Sequence, residues 1–334
     1  MTAVEKQPVR LPSDTQREQL MVQAAKLFFD LDRTQTEIAS ELGLTRWQVS
    51  RLLQEARELG IVRIDIVPRA RRRPDLESAL QKAFRLREAI VVPAAGKEDP
   101  MLFENVAHAA AQHLAAIHPR PNVVGVSWGR TMAAVARAIP PHWNPGAHIV
   151  QVNGAVALRA GIPRTNAVAE DLAAAAPGQA TLLPVPAIVG SPETRLVLEK
   201  DRIVADVLAL ARRAEVLCFS FGALSAQSVL VESGYLTKAD VVALRRKGAV
   251  GDILGRFVDA DGRIVDDDLD RRTIGLRLED IGRRAQVIGV SAGPTKHAIA
   301  IAALRRAIVN VIITDEATAR FVLEAEAAAG KART

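Results

Sequence analysis

Two short stretches of the chain place hydroxyls, glycines and a cation where an apolar run gives way to a helical one. GVSWGRTM, residues 125–132, sets Ser127, Gly129, Arg130 and Thr131 at such a junction, and SAGPTKH, residues 291–297, repeats the pattern with Ser291, Gly293 and Lys296. Backbone N–H groups at a helix start carry partial positive charge. With a hydroxyl and a guanidinium beside them, they suit a phosphate. Groups that pair with hydroxyls recur at the ends of other apolar runs: Gln151, Asn153 and Gly154 in QVNG, Ser220 in CFSFG and Asp252 in GDI. Each has a plainer reading beside it. Arg130 and Lys296 also fit solvated surface positions, Asp252 also fits a cap for the segment ILGRF, and Asn-Gly is a common turn pair. Trp128 fits either a lid over a ligand or the core.

A third group lies near the N-terminus. Between Gln35 and Gln54, TEIASEL has Ile38 and Leu42 on one face, with the small Ala39 where a second helix can approach. Gly43 suits a tight turn, Leu44 a buried turn position, and Thr45 an N-cap. Val49, Leu52 and Leu53 form the apolar face of the helix that follows. This spacing predicts a helix-turn-helix, whose second helix enters the major groove with its N-terminal residues on base edges. Arg suits guanine and Gln suits adenine. The candidates are Arg46, Gln48, Arg51 and Ser50 in that order, with Thr45 on phosphate or capping the helix, and Trp47 near its start or plugging the core. Residues 1–70 carry 10 basic and 10 acidic side chains, so any basic face must come from arrangement, not excess.

The elements around these residues follow from hydrophobic period. Length alone, 334 residues, suggests two domains. Residues 1–14 read as a frayed arm, and residues 16–30 as an amphipathic helix. After Gly60, IVRIDIV alternates apolar and polar, the pattern of a short strand or wing. PRARRRP, with prolines at both ends and like charges between, marks a boundary that should be extended and exposed. We therefore divide the chain into a DNA-binding domain at 1–67, a linker at 68–74 and a larger domain at 75–330. Beyond residue 75, continuous apolar β-branched runs at 88–93, 122–127, 148–153, 181–186, 215–220, 286–291 and 310–315 alternate with Ala-rich helical stretches. That alternation predicts an α/β fold with a mostly parallel sheet covered on both faces, its ligand outside the carboxyl ends of the strands.

Several classes of function are excluded. One cysteine, Cys218, permits neither an internal disulfide nor a Cys-rich zinc module. No stretch approaches the apolar length of a membrane span, and the N-terminus has no signal-peptide core, so the expected location is cytoplasmic, away from membranes. His108, His113 and His118 recur every five residues and do not share a helical face. No metal or cofactor is expected. Asp252, Glu279 and Asp315 could each serve as a general base, but they form no cluster, so no catalytic residue is assigned.

NVVGVSWGRTM (122–132), VQVNGA (150–155), GAVGDILGRFVDADGRIV (248–265) and VIGVSAGPTKHAIAIAALRRAIVNVIITDEATA (287–319) resemble, in order and spacing, the SorC/DeoR-type bacterial sugar-responsive transcription regulators. The N-terminal motif resembles the DNA-binding half of that family. The resemblance implies a winged-helix-like helix-turn-helix followed by a larger, doubly wound effector domain. That domain is similar to the fold of glucosamine-6-phosphate deaminase and ribose-5-phosphate isomerase. It also implies an effector that is a sugar, polyol or sugar phosphate, a double-stranded operator in a carbohydrate or polyol operon, and dimers or tetramers. A sugar phosphate matches the residues above: cations and helix starts for its anion, carboxylate and amides for its hydroxyls. An isomerase- or deaminase-like enzyme is the alternative, since fold alone does not carry function.

Overall fold

The computed structural model describes residues 14–62, 72–93, 101–154, 167–282 and 284–331. The chain divides into two compact units, 1–67 and 68–334.

The first unit contains α1 (Asp14–Phe29), α2 (Gln35–Leu42) and α3 (Arg46–Glu58). Thr34 caps α2 and forms a reciprocal box with Glu37. Gly43 ends α2 in the left-handed region at φ 66°, which glycine adopts without steric cost, and so turns the chain into α3. Met21, Ala24, Ile38, Val49, Leu52 and Leu53 are buried against one another, so all three helices share one small core. Arg17 reaches from α1 to Glu55 of α3 through Nε and Nη2, at 2.9 and 2.8 Å. Ile61 and Val62 pack at the edge of this core and are not in a strand. The remainder of the expected wing, residues 1–13 of the expected arm and residues 68–71 of the expected linker lie outside the described residues, and Asp14, expected in the arm, begins α1.

The second unit is built on β1 (Glu88–Val92), β2 (Val123–Val126), β3 (His148–Gln151), β4 (Gln179–Thr181), β5 (Val216–Ala223), β6 (Gly251–Ile253), β7 (Arg256–Val258), β8 (Gln286–Ser291) and β9 (Val311–Asp315). Seven of them run parallel in the order β1-β9-β8-β5-β2-β3-β4, and β6–β7 is a hairpin set antiparallel on the end of β5. One face packs Val124, Val126, Ile288 and Ile313 against α5 (Leu102–Ala115), α6 (Arg130–Ala138) and the helix Val168–Ala175. The other packs Leu217, Phe219, Val287 and Ile312 against α4 (Pro74–Phe84) and the helices Arg202–Arg212, His297–Arg305 and Glu316–Lys331. Burial on both faces explains why these strands read as unbroken apolar runs.

The run expected as a strand at 181–186 is corrected. The strand is Gln179–Thr181, and Leu182–Pro186 is irregular although Leu183 and Val185 are buried. Pro184 and Pro186 have no N–H to give a ladder. From β2 the chain steps outward to β3 and β4; it returns at β5 on the other flank of β2 and steps the opposite way. The connections after β2 and β5 thus diverge, and such a switch point leaves a crevice at the carboxyl ends.

Pro74, expected as the last linker residue, is the first residue of α4, where its missing N–H costs nothing. The two described arginines before it, Arg72 and Arg73, are both paired. Arg72 donates to Glu77 Oε1 (2.8 Å) and to the carbonyl of Ala89 (3.2 Å). Arg73 pairs with Asp75 and with Glu316 (2.5 Å). Glu316 directly follows Asp315, whose Oδ2 accepts the Gly293 N–H at 2.8 Å. No described helix is long and apolar enough to cross a membrane.

Candidate functional site

A cavity of about 620 Å³ opens at the carboxyl ends of β2 and β5, beside the β6–β7 hairpin. Ser127, Gly129, Arg130, Thr131, Asn153, Ser220, Asp252 and Lys296, eight of the twelve residues expected to hold a ligand, line it together. Residues from separate stretches of sequence meet there because the sheet brings the ends of their strands side by side.

Gly129 (φ 122°) is the N-cap of α6, so the N–H groups that begin this helix lie at the cavity wall. Lys296 crosses the site: its Nζ donates to Thr131 Oγ1 at 2.9 Å and to Ser220 Oγ at 2.7 Å. Burial lowers its pKa to about 8, opposed by the negative Asp252 and assisted by Arg130. Asp252 is 8% exposed. Burial raises its carboxyl to about 6, while the Gly255 N–H and Lys296 pull the other way. The Gly255 N–H donates to Asp252 Oδ2 at 2.9 Å and closes the two-residue turn between β6 and β7. Asp252 therefore does cap the start of the ILGRF segment, as a hairpin turn, and also lines the cavity. Leu254 (φ 55°) and Gly255 (φ 84°) supply the positive pair that such a turn needs.

Gly222, opposite Asp252 in the ladder, is the residue sequence reasoning missed. A Cβ there would sit 1.8 Å from Asp252 Oδ1, so only glycine lets the carboxylate lie against β5. A glycine inside an apolar strand was the available signal. Phe103, Val229 and Leu230 add an apolar wall, and Ser225, Gln227 and Ser228 a polar one; none was singled out beforehand. Ser127 Oγ and Asn153 Oδ1, on residues 4% and 6% exposed, find no hydrogen-bond partner among the described residues. Buried oxygens are rarely left so unless something else completes them.

The other four expected residues lie outside the lining. Gln151 Nε2 donates to the carbonyl of Asn153 at 2.7 Å and holds that backbone. Gly154 gives its carbonyl to Trp128 Nε1 (2.8 Å), so Trp128 is tied to the rim it helps to line. Ser291 is fully buried with its hydroxyl unpartnered among the described residues. Gly293 is bonded through its N–H to Asp315. Asn153 is held from behind as well. Arg256, 1% exposed, donates to the carbonyls of Leu276, Asp270, Thr273 and Gly275 and to the Asp270 carboxylate. That segment pairs with the chain around Asn153. Among the described residues no His, Cys, Asp or Glu group could hold a metal. His113 instead bonds Gln286, and His108 bonds Gln112.

In the first unit Thr45 caps α3 as expected, and the six candidates Thr45, Arg46, Trp47, Gln48, Ser50 and Arg51 are all exposed at its start. Two are not free to act as first read. Gln48 Oε1 accepts from the Thr45 N–H (2.8 Å) and hydroxyl (3.0 Å), completing a capping box. Trp47 is 68% exposed and plugs no core; Arg51 lies over its ring at 5.6 Å and donates to Glu55 at 3.0 Å. Arg17 foremost, then Arg51, holds the Glu55 carboxyl below the ordinary range. The short, ordered turn and the polar face of α3 are what a groove-reading helix requires.

Comparison with known proteins agrees with both halves. The profile of the Sugar-bind family, a sugar-binding domain, matches residues 69–324. The deoxyribonucleoside regulator of Bacillus subtilis is 31% identical over 92% of this chain and 98% of its own length. The transcriptional regulator LsrR of Klebsiella pneumoniae is 31% identical over 92% of this chain and 93% of its own. Among solved structures, a DeoR family transcriptional regulator from Listeria monocytogenes covers 75% of this chain and 98% of its own at 28% identity and TM-score 0.67. The full-length sorbitol operon regulator SorC from Klebsiella pneumoniae shares the fold over 94% of this chain and all of its own, at TM-score 0.69 and 24% identity. These relatives regulate transcription and are not enzymes. A sheet with its cavity at the switch point, a capped helix-turn-helix and a family match over most of the chain lead to one conclusion: the chain belongs to the SorC/DeoR family of sugar-binding transcriptional regulators.

Proposed function

We propose that the cavity beneath α6 takes an anionic sugar derivative, a sugar phosphate, and that its occupancy changes how α3 engages operator DNA. The observation that carries this reading is convergence: the N-terminus of α6, Arg130 and Lys296 lie at one cavity with Asp252 and the unpartnered Ser127 and Asn153 oxygens. Cations and backbone N–H groups suit the phosphate, and the carboxylate and side-chain oxygens suit sugar hydroxyls. Asp252 has its second oxygen for a hydroxyl, since only Oδ2 is taken by Gly255. The four residues outside the lining act as supports: Gln151 and Gly154 for the Asn153 wall, Ser291 and Gly293 for the loop that presents Lys296.

On DNA, Arg46 and Arg51 are the base-reading candidates, with Ser50 and Trp47 flanking. Thr45 and Gln48 hold the helix start. For Gln48 to pair with adenine it must leave the capping box, giving up about 0.5–2 kcal/mol against about 1–3 gained. One head buries little surface, so tight binding calls for a symmetric oligomer, a dimer or tetramer, on paired half-sites. An effector that binds one arrangement of the oligomer better shifts the population toward it and respaces the heads.

A thermal-shift screen tests the effector. The panel holds deoxyribonucleosides and sorbitol, after the names of two relatives, with other sugars and polyols and the phosphates of each. A ligand at about 100 times its Kd adds about 2.7 kcal/mol, several degrees for a domain of this size. Stabilisation confined to phosphorylated compounds supports the reading. Stabilisation only by the unphosphorylated ones overturns the phosphate assignment of Arg130 and Lys296.

A further inference from the structure

We propose that Glu232 is a built-in competitor for the effector's anion: its carboxylate holds the Nη1–Nη2 edge of the Arg130 guanidinium at the cavity rim, so an effector engages that edge only by displacing it. The proposal rests on the reading that an anion binds at the start of α6. Arg130 Nη1 donates to both oxygens of Glu232, at 2.9 and 3.0 Å, and Nη2 to the carbonyl of Gln227 at 2.9 Å. Arg130 thus commits its Nη1–Nη2 edge to a strap, Leu224–Ser233, that supplies one wall of the cavity.

The strap has its own fastenings. Arg245 Nη2 donates to the carbonyl of Leu224 at 3.0 Å, Ser228 caps the short helix Val229–Glu232, and Leu230 is buried in a neighbouring apolar cluster. Release of Glu232 therefore loosens the rim and leaves the base of the strap in place. The exposure of the pair decides whether displacement is feasible. The Arg130 and Glu232 side chains are 53% and 42% exposed, and exposed ion pairs shift an equilibrium by about fivefold at most. A carboxylate holds one negative charge, whereas a phosphate ester carries nearly two at neutral pH and can also accept from the α6 N–H groups. A dianion clears the barrier set by Glu232, and a singly charged or neutral ligand does so poorly. Glu232 in this way biases the site toward a doubly charged effector, by about fivefold at most.

Calorimetric titration of the full chain with inorganic phosphate at pH 7.5, at constant ionic strength set with chloride, tests this. The variants are E232Q, R130A and the double variant; Gln keeps the shape of Glu at an exposed site, and melting curves check that each is folded. The expected result is that E232Q binds phosphate about fivefold tighter than the parent, and that this gain disappears in the Arg130→Ala background. If phosphate binds the parent and weakens on R130A, but E232Q matches the parent, the competitor is refuted while the phosphate site stands. If phosphate binds none of the four proteins, the phosphate site and the competitor fall together.

Discussion

The head and the cavity use charge in opposite settings. At the start of α3 the candidate DNA-reading groups are long, exposed side chains paired with one another: Arg51 with Glu55 and the Trp47 ring, Gln48 with Thr45. Such pairs add little stability and rearrange easily when phosphates and bases arrive. In the cavity Asp252 is buried, Lys296 is locked between two hydroxyls, and both have pKa values driven toward neutrality by burial. On the proposed reading, the head works by being adaptable. On the same reading, the buried floor of the cavity works by being built before a ligand comes, at a standing cost to the fold. Function and stability should therefore separate in the head and trade against each other in the cavity.

The largest expected effect sharpens the first half of that contrast. Arg46→Ala with Arg51→Ala should weaken specific operator binding by about a hundredfold or more, because removing each base-pairing side chain costs about 1–3 kcal/mol. The melting temperature should barely move, since neither side chain is buried. A large drop in melting temperature with DNA binding intact would break the comparison. Next comes Asp252→Asn. The carboxyl is raised from 3.8 to about 6, so it favours the fold when protonated; that contribution is complete below about pH 4 and lost as pH rises through 6. Keeping it charged at pH 7 costs up to about 3 kcal/mol. Asparagine should stabilise the ligand-free protein by about 1–3 kcal/mol at pH 7 in urea denaturation, with the gain fading toward pH 4, and should weaken sugar binding. Destabilisation at pH 7 would show that Asp252 supports the fold more than the site.

A smaller effect concerns pH. With Lys296 at about 8, an anion binds the charged amine below that value and must first restore a proton above it. Phosphate affinity should fall by up to about tenfold per unit above pH 8, and R130A should keep that profile. The smallest effect is at Gln48. Its replacement by alanine should cost the head about 1 kcal/mol through the broken capping box, with operator preference retained. Altered preference with stability unchanged would return Gln48 to the bases.

Much of this was legible in the residues. The strands at 88–92, 216–223, 286–291 and 311–315 sit between helices on both faces, so their apolar runs announce them. Thr45 and Gly43 announce the turn of the head through capping and backbone conformation. The β6–β7 hairpin was hidden because each strand has only three residues and its turn is Leu-Gly, without the Asn or Asp that usually signals it. The strap and Glu232 were hidden because their importance lies in what Arg130 reaches across 102 residues of sequence, which no local pattern encodes. Arg46 and Lys296 are both cations near a helix start in the sequence, and only the fold distinguishes an exposed adaptable one from a desolvated one.

Asp315 and Glu316 are neighbours, yet they face two different tasks. Asp315 grips the backbone of the loop that carries Lys296, and Glu316 grips Arg73, one residue before α4 begins. A single peptide unit, planar and stiff, joins the two grips. On the proposed reading, a pull on the loop reaches the start of α4 through these two side chains and that one unit. The same link works in reverse: a shift of Arg73 at the start of α4 is passed to a loop that lines the cavity.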